Sequence, residues 1–432
     1  METATISLRI VTKEDPENID AYLLLANIYQ SEKNDEQLNS TLNTAFENNK
    51  RNADGLLKLV QVLLSRDINL AEKAIDQYNA LKESDYTGLS LKAQILNLKK
   101  EYSDAYEIST KLMELFPEQP NGYLQTIYYY QQSGDKAAAI STLEEGYINT
   151  KNNRKILSVL TDLQLSDKQF DIVENRIMAE LNATPDDEEL KILLTKTYLA
   201  ENNIDAAVKT LQDLVDNRTK LQDPYLTLSQ IYMGKEEKAK AEAILEKGYV
   251  NAKPNSKILI ALTKLQVLDK RFDEAESRLK SELEINPDDE ELKLLLSKTY
   301  MTNKKLDDAE IILEDVVSND TASEEAYLLL SKIYQSKKDF DSVEKLLVKG
   351  KKAVPGSMKI PLGLATLYEI NGTYSTAIDI YRELHEAQPD NLIITNNLAA
   401  MLTDHGNGES DLELAKSLAD KLLDTDQPVF FD

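Results

Sequence analysis

The sequence is poor in the residues that carry most enzyme chemistry. Its 432 residues include no cysteine, no tryptophan and two histidines, His385 and His405. The absence of cysteine excludes disulfides, a thiol nucleophile and a cysteine-ligated metal. No GxxxxGK[ST], GxGxxG, HExxH or GxSxG motif occurs, so no motif predicts a nucleotide site, a zinc protease or a serine hydrolase. We therefore expect no catalytic residues, no cofactor and no metal, and we expect that the chain is not an enzyme.

The two histidines have ordinary interpretations. His385 falls late in a helical pattern, where we expect a solvated side chain. His405 falls in the acidic, glycine-containing turn 404–411, DHGNGESD. The acids of this turn do not follow the ligand spacing of an EF-hand. We expect a flexible loop there.

Positive charge and long apolar runs are also scarce. Asp and Glu number 75 against 50 Lys and Arg, which gives a formal net charge of -25. Such a field repels phosphate backbones and anionic membrane surfaces. No apolar run approaches the roughly 20 residues that cross a bilayer, and the start METATISLRI has no signal-peptide pattern. We expect no nucleic-acid partner and no direct membrane insertion.

The sequence does contain a strong repeat. Small residues recur every 34 positions, at Ala71, Ala105, Ala139, Val173, Ala207, Ala241, Ala275, Ala309, Val343 and Ala377. A period of this length indicates a solenoid, in which each unit buries its apolar face against its neighbours. Within a unit, apolar residues are spaced by three and four, which predicts two helices. We expect an all-α fold in one continuous array.

Each unit resembles the tetratricopeptide repeat. In the unit 358–391, positions 7, 8, 11, 20, 24 and 32 carry Leu364, Ala365, Tyr368, Ala377, Tyr381 and Pro389. The resemblance extends over essentially the whole chain. It implies a right-handed superhelical solenoid of antiparallel helix pairs, named A and B, that binds protein or peptide partners in a concave groove.

This register divides the chain. Residues 1–18 are expected to be helix B of a truncated repeat, 19–425 to form twelve units, and 426–432 to begin another truncated repeat, so that the chain would be a piece of a longer protein. Equivalent blocks also start at Tyr123, Tyr225 and Tyr327, spaced 102 residues apart. This super-repeat of three units reflects either a recent duplication or a binding surface that offers one sub-site several times to a repetitive ligand.

The resemblance also locates a candidate binding surface. In the family, positions 2, 5, 9 and 12 of helix A line the groove. The partner-binding residues carried over in this way are Ile192, Lys196, Leu199, Leu226, Gln230, Met233, Ile260, Lys264, Val267, Leu294, Lys298, Met301, Leu328 and Lys332, together with Tyr128 as an aromatic anchor. An apolar floor beside a row of lysines predicts a partly apolar, acidic ligand. Alternatively, these apolar side chains pack neighbouring A helices and the lysines balance nearby acids.

Three functions follow as hypotheses. The first is a non-catalytic scaffold that binds a protein or peptide. The last unit, 395–423, is similar to the C-terminal region of long bacterial envelope arrays, including lipoproteins of exosortase and exopolysaccharide systems, so the second is a polysaccharide-export component that contacts a synthase or glycan. The third is the targeting array of an enzyme. The similarity favours a periplasmic or envelope location over the cytoplasm, and the sequence does not determine an oligomeric state.

Overall fold

The computed structural model describes residues 2–253, 255–319 and 323–423. Every regular element in these ranges is an α-helix, so the all-α prediction is confirmed. The described residues group into two compact units, Met1–Thr219 and Lys220–Asp432. The repeat expected at 426–432 lies outside the described residues.

The first unit contains fourteen helices joined by short turns. They are α1 Glu2–Glu14, α2 Ile19–Ser31, α3 Asp35–Asn48, α4 Ala53–Leu63, α5 Ile68–Leu81, α6 Tyr86–Leu98, α7 Tyr102–Leu115, α8 Asn121–Gln125, α9 Ile127–Ser133, α10 Lys136–Asn149, α11 Arg154–Ser166, α12 Phe170–Ala183, α13 Glu188–Ala200 and α14 Ile204–Asp216.

The second unit contains twelve described helices in the same alternation. They are α15 Gln222–Gly234, α16 Lys238–Asn251, α17 Ser256–Leu268, α18 Phe272–Ile285, α19 Glu290–Thr302, α20 Leu306–Ser318, α21 Glu324–Ser336, α22 Phe340–Ala353, α23 Lys359–Ile370, α24 Tyr374–Ala387, α25 Leu392–His405 and α26 Glu409–Leu423. In this unit the odd-numbered helices occupy the A position of the repeat and the even-numbered helices occupy the B position.

Local sequence explains where the helices begin and end. Many start after an Asn or Asp whose side chain accepts a hydrogen bond from a backbone N–H of the first turn, as Asn203 does from Ala206 and Asp289 from Leu292. Several A helices are followed, two residues after their last residue, by a residue with left-handed backbone, such as Lys270 at φ 59° after α17 and Lys304 at φ 60° after α19. This conformation turns the chain sharply into helix B.

The repeated small residues of helix B lie in the core. Ala207, Ala241, Ala275 and Ala309 are each fully buried, where a larger side chain would hold the helices apart. Neighbouring helices in each unit therefore pack along their apolar faces, and the large buried clusters of both units run through successive pairs.

In three of the 34-residue repeats, a tyrosine at position 4 packs against the glycine at position 27 of the same repeat. Tyr123, Tyr225 and Tyr327 are fully buried. A Cβ atom added to the glycine of the same unit would lie 2.4 Å from Tyr123 Cγ at Gly146, 2.6 Å from Tyr225 Cγ at Gly248 and 3.0 Å from the Tyr327 ring at Gly350. The missing side chain thus leaves room for each ring. Asn149 donates to the Tyr123 hydroxyl at 2.8 Å, which satisfies its buried polar atom.

Candidate interaction surface on the A helices

In five successive A helices (α13, α15, α17, α19 and α21), position 9 carries mostly cationic side chains. Lys196, Gln230, Lys264 and Lys332 are exposed, and Lys298 is half-buried. Lys196 is ion-paired with Asp162 of the preceding A helix. Lys298 is ion-paired with Glu325 at 2.8 Å. Lys264 and Lys332 make no ion pair with any other residue of the described ranges, so these two charges remain available to a partner.

The apolar positions beside them are half-buried. This holds for Leu226, Met233, Ile260, Val267, Met301 and Leu328 in the second unit, and for Ile192 and Leu199 in the first. Leu294 differs, because it is 7% exposed and packs inside the core cluster. Leu294 therefore offers little surface to a ligand, whereas its neighbours keep part of their apolar surface open to solvent.

Successive A helices of the second unit touch one another. Helix α17 contacts both α15 and α19, and α19 contacts α21. Positions 5, 9 and 12 of these four helices consequently form one contiguous surface, which we call the A-helix face. Ile192, Lys196 and Leu199 lie on α13 and Tyr128 on α9, so these candidates belong to the first compact unit.

Tyr128 projects from an interrupted helix. It is 48% exposed and stacks on Tyr102 with ring centroids 6.5 Å apart. Helix A of this repeat is broken at Thr126 into α8 and α9. The side chain of Asn97 donates to the backbone oxygen of Gln125 at 3.1 Å, which provides that carbonyl with a partner outside its own helix. Tyr128 therefore presents an aromatic ring at a local kink.

Both histidines contact other side chains. The half-buried His385 has Nδ1 3.2 Å from Thr395 Oγ1, so the expectation of a solvated side chain is wrong. Burial lowers the pKa of His385, and the nearby Lys421 adds to this effect. The His405 ring stacks on the Tyr374 ring, with ring centroids 3.5 Å apart.

The acidic turn that follows His405 is also held in place. Asp411, in the first turn of α26, is paired with Arg382 at 2.5 Å and accepts a hydrogen bond from the backbone N–H of Asn407 in the turn, at 2.8 Å. Within the described residues, no group of three or more His, Cys, Asp or Glu side chains is placed to hold a metal ion. No helix in those ranges is long and apolar enough to cross a membrane.

In the described residues, these observations define a solenoid of helix pairs. Residues 266–333 match the tetratricopeptide repeat family, and they cover two periods of the same 34-residue register that runs through the rest of the chain. This stretch therefore belongs to the tetratricopeptide repeat family. Proteins built from these repeats typically bind other proteins or peptides and are generally non-catalytic scaffolds.

Similar solved structures are distant. Yeast Tom70 is 15% identical with a TM-score of 0.42, over 89% of this chain and 94% of the other. A tetratricopeptide repeat protein from Parabacteroides merdae is 14% identical with a TM-score of 0.38, over 57% and 98%. A chain of the Naa15/Naa10 complex bound to HypK-THB is 15% identical with a TM-score of 0.35, over 88% of this chain and 64% of the other.

These likenesses are too remote to transfer a partner or an activity to this chain. No curated protein matches the sequence.

Proposed function

We propose that this protein is a non-catalytic scaffold that binds a partly apolar, acidic peptide or protein segment on the A-helix face of its second compact unit. The observation that supports this most strongly is the pair Lys264 and Lys332. Both are exposed, and neither has an ion pair in the described part of the chain, although the protein carries a net charge of -25. Unpaired cations beside half-buried apolar side chains are complementary to an acidic, amphipathic ligand.

The energetic argument has two parts. Completing the burial of a Leu, Ile, Val or Met side chain that is at most about a third exposed contributes about 0.5–1 kcal/mol, a third of the value for full burial. Leu226, Ile260, Val267 and Leu328 can each contribute in this way. The lysines add modest energy at an exposed site, but they steer an acidic partner and disfavour a basic one. Burial of these apolar side chains therefore supplies most of the binding free energy, and the lysine charges select acidic over basic partners.

A peptide-display selection against the protein tests this proposal. We expect the enriched sequences to combine Asp or Glu with Leu, Ile, Met or Phe. The double variant Lys264→Glu/Lys332→Glu should bind those peptides roughly tenfold more weakly, which corresponds to about 1.4 kcal/mol, with unchanged circular dichroism.

The matched control is Lys304→Glu/Lys345→Glu. Both lysines are exposed and lie off the A-helix face, and the change in net charge is the same. Equal losses in the two double variants would show a general charge effect and contradict the assigned face. Enrichment of basic or purely polar peptides would contradict the proposed ligand chemistry.

The same selection separates the alternatives. A polysaccharide-export component that contacts glycan should bind oligosaccharides and show no peptide preference. The targeting array of an enzyme should select a peptide from a catalytic subunit, through the A-helix face or elsewhere.

A further inference from the structure

A network of Glu, Gln and Arg around a buried glutamine occurs twice, 102 residues apart. The first copy is Glu144, Gln164 and Arg176, and the second is Glu246, Gln266 and Arg278. Each copy lies within one compact unit. Because the residue types are identical, the two copies can be compared atom by atom.

The first copy is closed. Arg176 donates to Gln164 Oε1 at 2.5 Å and to Glu144 Oε1 at 2.9 Å. Gln164 Nε2 also donates to Glu144 at 3.1 Å. The guanidinium group therefore lies between an amide oxygen and a carboxylate, and every member of the network has a partner.

The second copy is open. Arg278 donates twice to Glu246, at 2.5 and 3.2 Å, and makes no bond to Gln266. Gln266 is 1% exposed, and its Oε1 has no hydrogen-bond partner among the described residues. The amide lies at the wall of an open cleft of about 560 Å³. A buried polar atom left without a partner costs about 1–3 kcal/mol.

The two copies differ in sequence at the position of Arg154, next to the network. In the first copy, Arg154 binds Glu180 and, at 2.7 Å, Asp187. The equivalent acids Glu282 and Asp289 are present in the second copy, but Ser256 stands where the arginine would be. Glu282 is therefore free of such a partner.

Glu282 instead accepts a hydrogen bond from Tyr249. Burial, together with this carboxylate, raises the pKa of Tyr249 to about 12. The Arg278 guanidinium lies 4.8 Å from the Tyr249 ring centroid, compared with 5.7 Å for Arg176 and Tyr147. Arg278 therefore lies closer to its tyrosine ring than Arg176 does, and it makes no hydrogen bond to Gln266.

The rim of the open cleft is more acidic than its counterpart. Asp273 and Glu274 line it and both are exposed. Glu274 replaces Ile172 of the first copy. Glu274 also accepts from Arg271 at 3.1 Å, and the charge of Arg278 is matched by Glu246. The cleft therefore combines an unsatisfied amide acceptor with exposed carboxylates.

We propose that this cleft binds the arginine side chain of a basic partner peptide, whose guanidinium donates to Gln266 Oε1 and pairs with Asp273 or Glu274. The chain itself shows the chemistry, because Arg176 makes the equivalent contact with Gln164 in the closed copy. A guanidinium has the planar set of donors that reaches an amide and a carboxylate together, whereas a lysine is a single point charge. This site is separate from the A-helix face and selects the opposite charge.

The test uses three short peptides, Ac-Gly-Xaa-Gly-NH₂ with Xaa as Arg, Lys or citrulline, and follows the side-chain amide signals of glutamine in an ¹⁵N-labelled full chain. The Gln266 signal, assigned by its absence in Gln266→Leu, should shift and saturate at millimolar arginine peptide, the range of a ligand that gains about 4 kcal/mol. Lysine and citrulline peptides should shift it at least tenfold less. The Gln164 signal should not move.

Ser256→Arg provides the decisive variant, since it changes no residue that lines the cleft. The new arginine should form ion pairs with Glu282 and Asp289, which breaks the hydrogen bond between Tyr249 and Glu282. Arg278 can then donate to Gln266, so that arginine-peptide binding falls at least tenfold. Ser256→Ala is the matched control and should bind like the parent, as should Lys264→Glu/Lys332→Glu. Absence of a saturable shift in the parent, equal shifts with all three peptides, or undiminished binding by Ser256→Arg would each overturn the proposal.

Discussion

Adding one methyl group to the position-27 glycines should destabilise the fold in a graded way. Gly146→Ala would place its Cβ 2.4 Å from Tyr123 Cγ, whereas carbon atoms pack at about 3.5–4.0 Å. The ring must therefore move by about 1 Å, although Tyr123 is fully buried and its hydroxyl is held by Asn149. Overpacking of this kind costs about 1–3 kcal/mol, and alanine recovers up to about 1 kcal/mol of helix propensity.

The expected net effect of Gly146→Ala is therefore a loss of up to about 2 kcal/mol. In Gly350→Ala the contacts with Tyr327 are 3.0 Å, so a shift of about half an ångström suffices and the two effects nearly cancel. Gly363→Ala is the control. Gly363 lies in helix α23, and an added Cβ would meet only Leu347 of α22, at an ordinary 3.6 Å. That substitution should stabilise the protein by about 0.5–1 kcal/mol.

Hydrogen exchange read by mass spectrometry is the suitable assay, because arrays of repeats can unfold in parts and exchange reports the opening free energy of each helix. Peptides from α8 to α10 should lose protection in Gly146→Ala, and those from α23 should gain it in Gly363→Ala. If Gly146→Ala is as stable as Gly350→Ala, contact with the position-4 tyrosine does not limit the packing, and our account of these glycines is wrong.

Two further predictions concern the second unit. Ala241→Leu should lower the free energy of unfolding by about 1–3 kcal/mol in urea titrations, because Ala241 is fully buried between helices; a variant as stable as the parent would contradict the assigned register. Burial lowers the pKa of His385, so the neutral imidazole stabilises the fold above its unfolded pKa of about 6.5, and this stabilisation disappears as the pH falls through the lower folded value. Between about pH 7.5 and about pH 5.5, the parent should therefore lose more stability than His385→Gln, and parallel curves for the two proteins would refute this.

The helix-pair architecture could be predicted because its signals are local. Apolar spacing, a buried small residue such as Ala241 and caps such as Asn203 each act within one or two turns of helix. The half-buried state of Leu226 and Leu328 follows from the same register.

Features that depend on distant residues could not be predicted in this way. The break at Thr126 involves Asn97, which lies on another helix. The pairing of Lys298 with Glu325 joins two repeats, although the recurring spacing of positions 9 and 2 could have suggested it.

The open cleft at Gln266 was also missed. Its three residues recur in the sequence, but their arrangement depends on whether position 154 or its equivalent 256 is arginine or serine. Only the contacts of Glu282 with Tyr249 reveal the consequence for Gln266.

The central claim is that the protein holds its partner on the A-helix face. The most direct measurement is site-specific photo-crosslinking in the source cells, with p-benzoylphenylalanine at Gln230 on that face or at Lys345 on helix α22. We predict a partner adduct from position 230 that is weakened by Lys264→Glu/Lys332→Glu and absent from position 345. Equal adducts from both positions, or adducts from position 345 alone, would contradict the account.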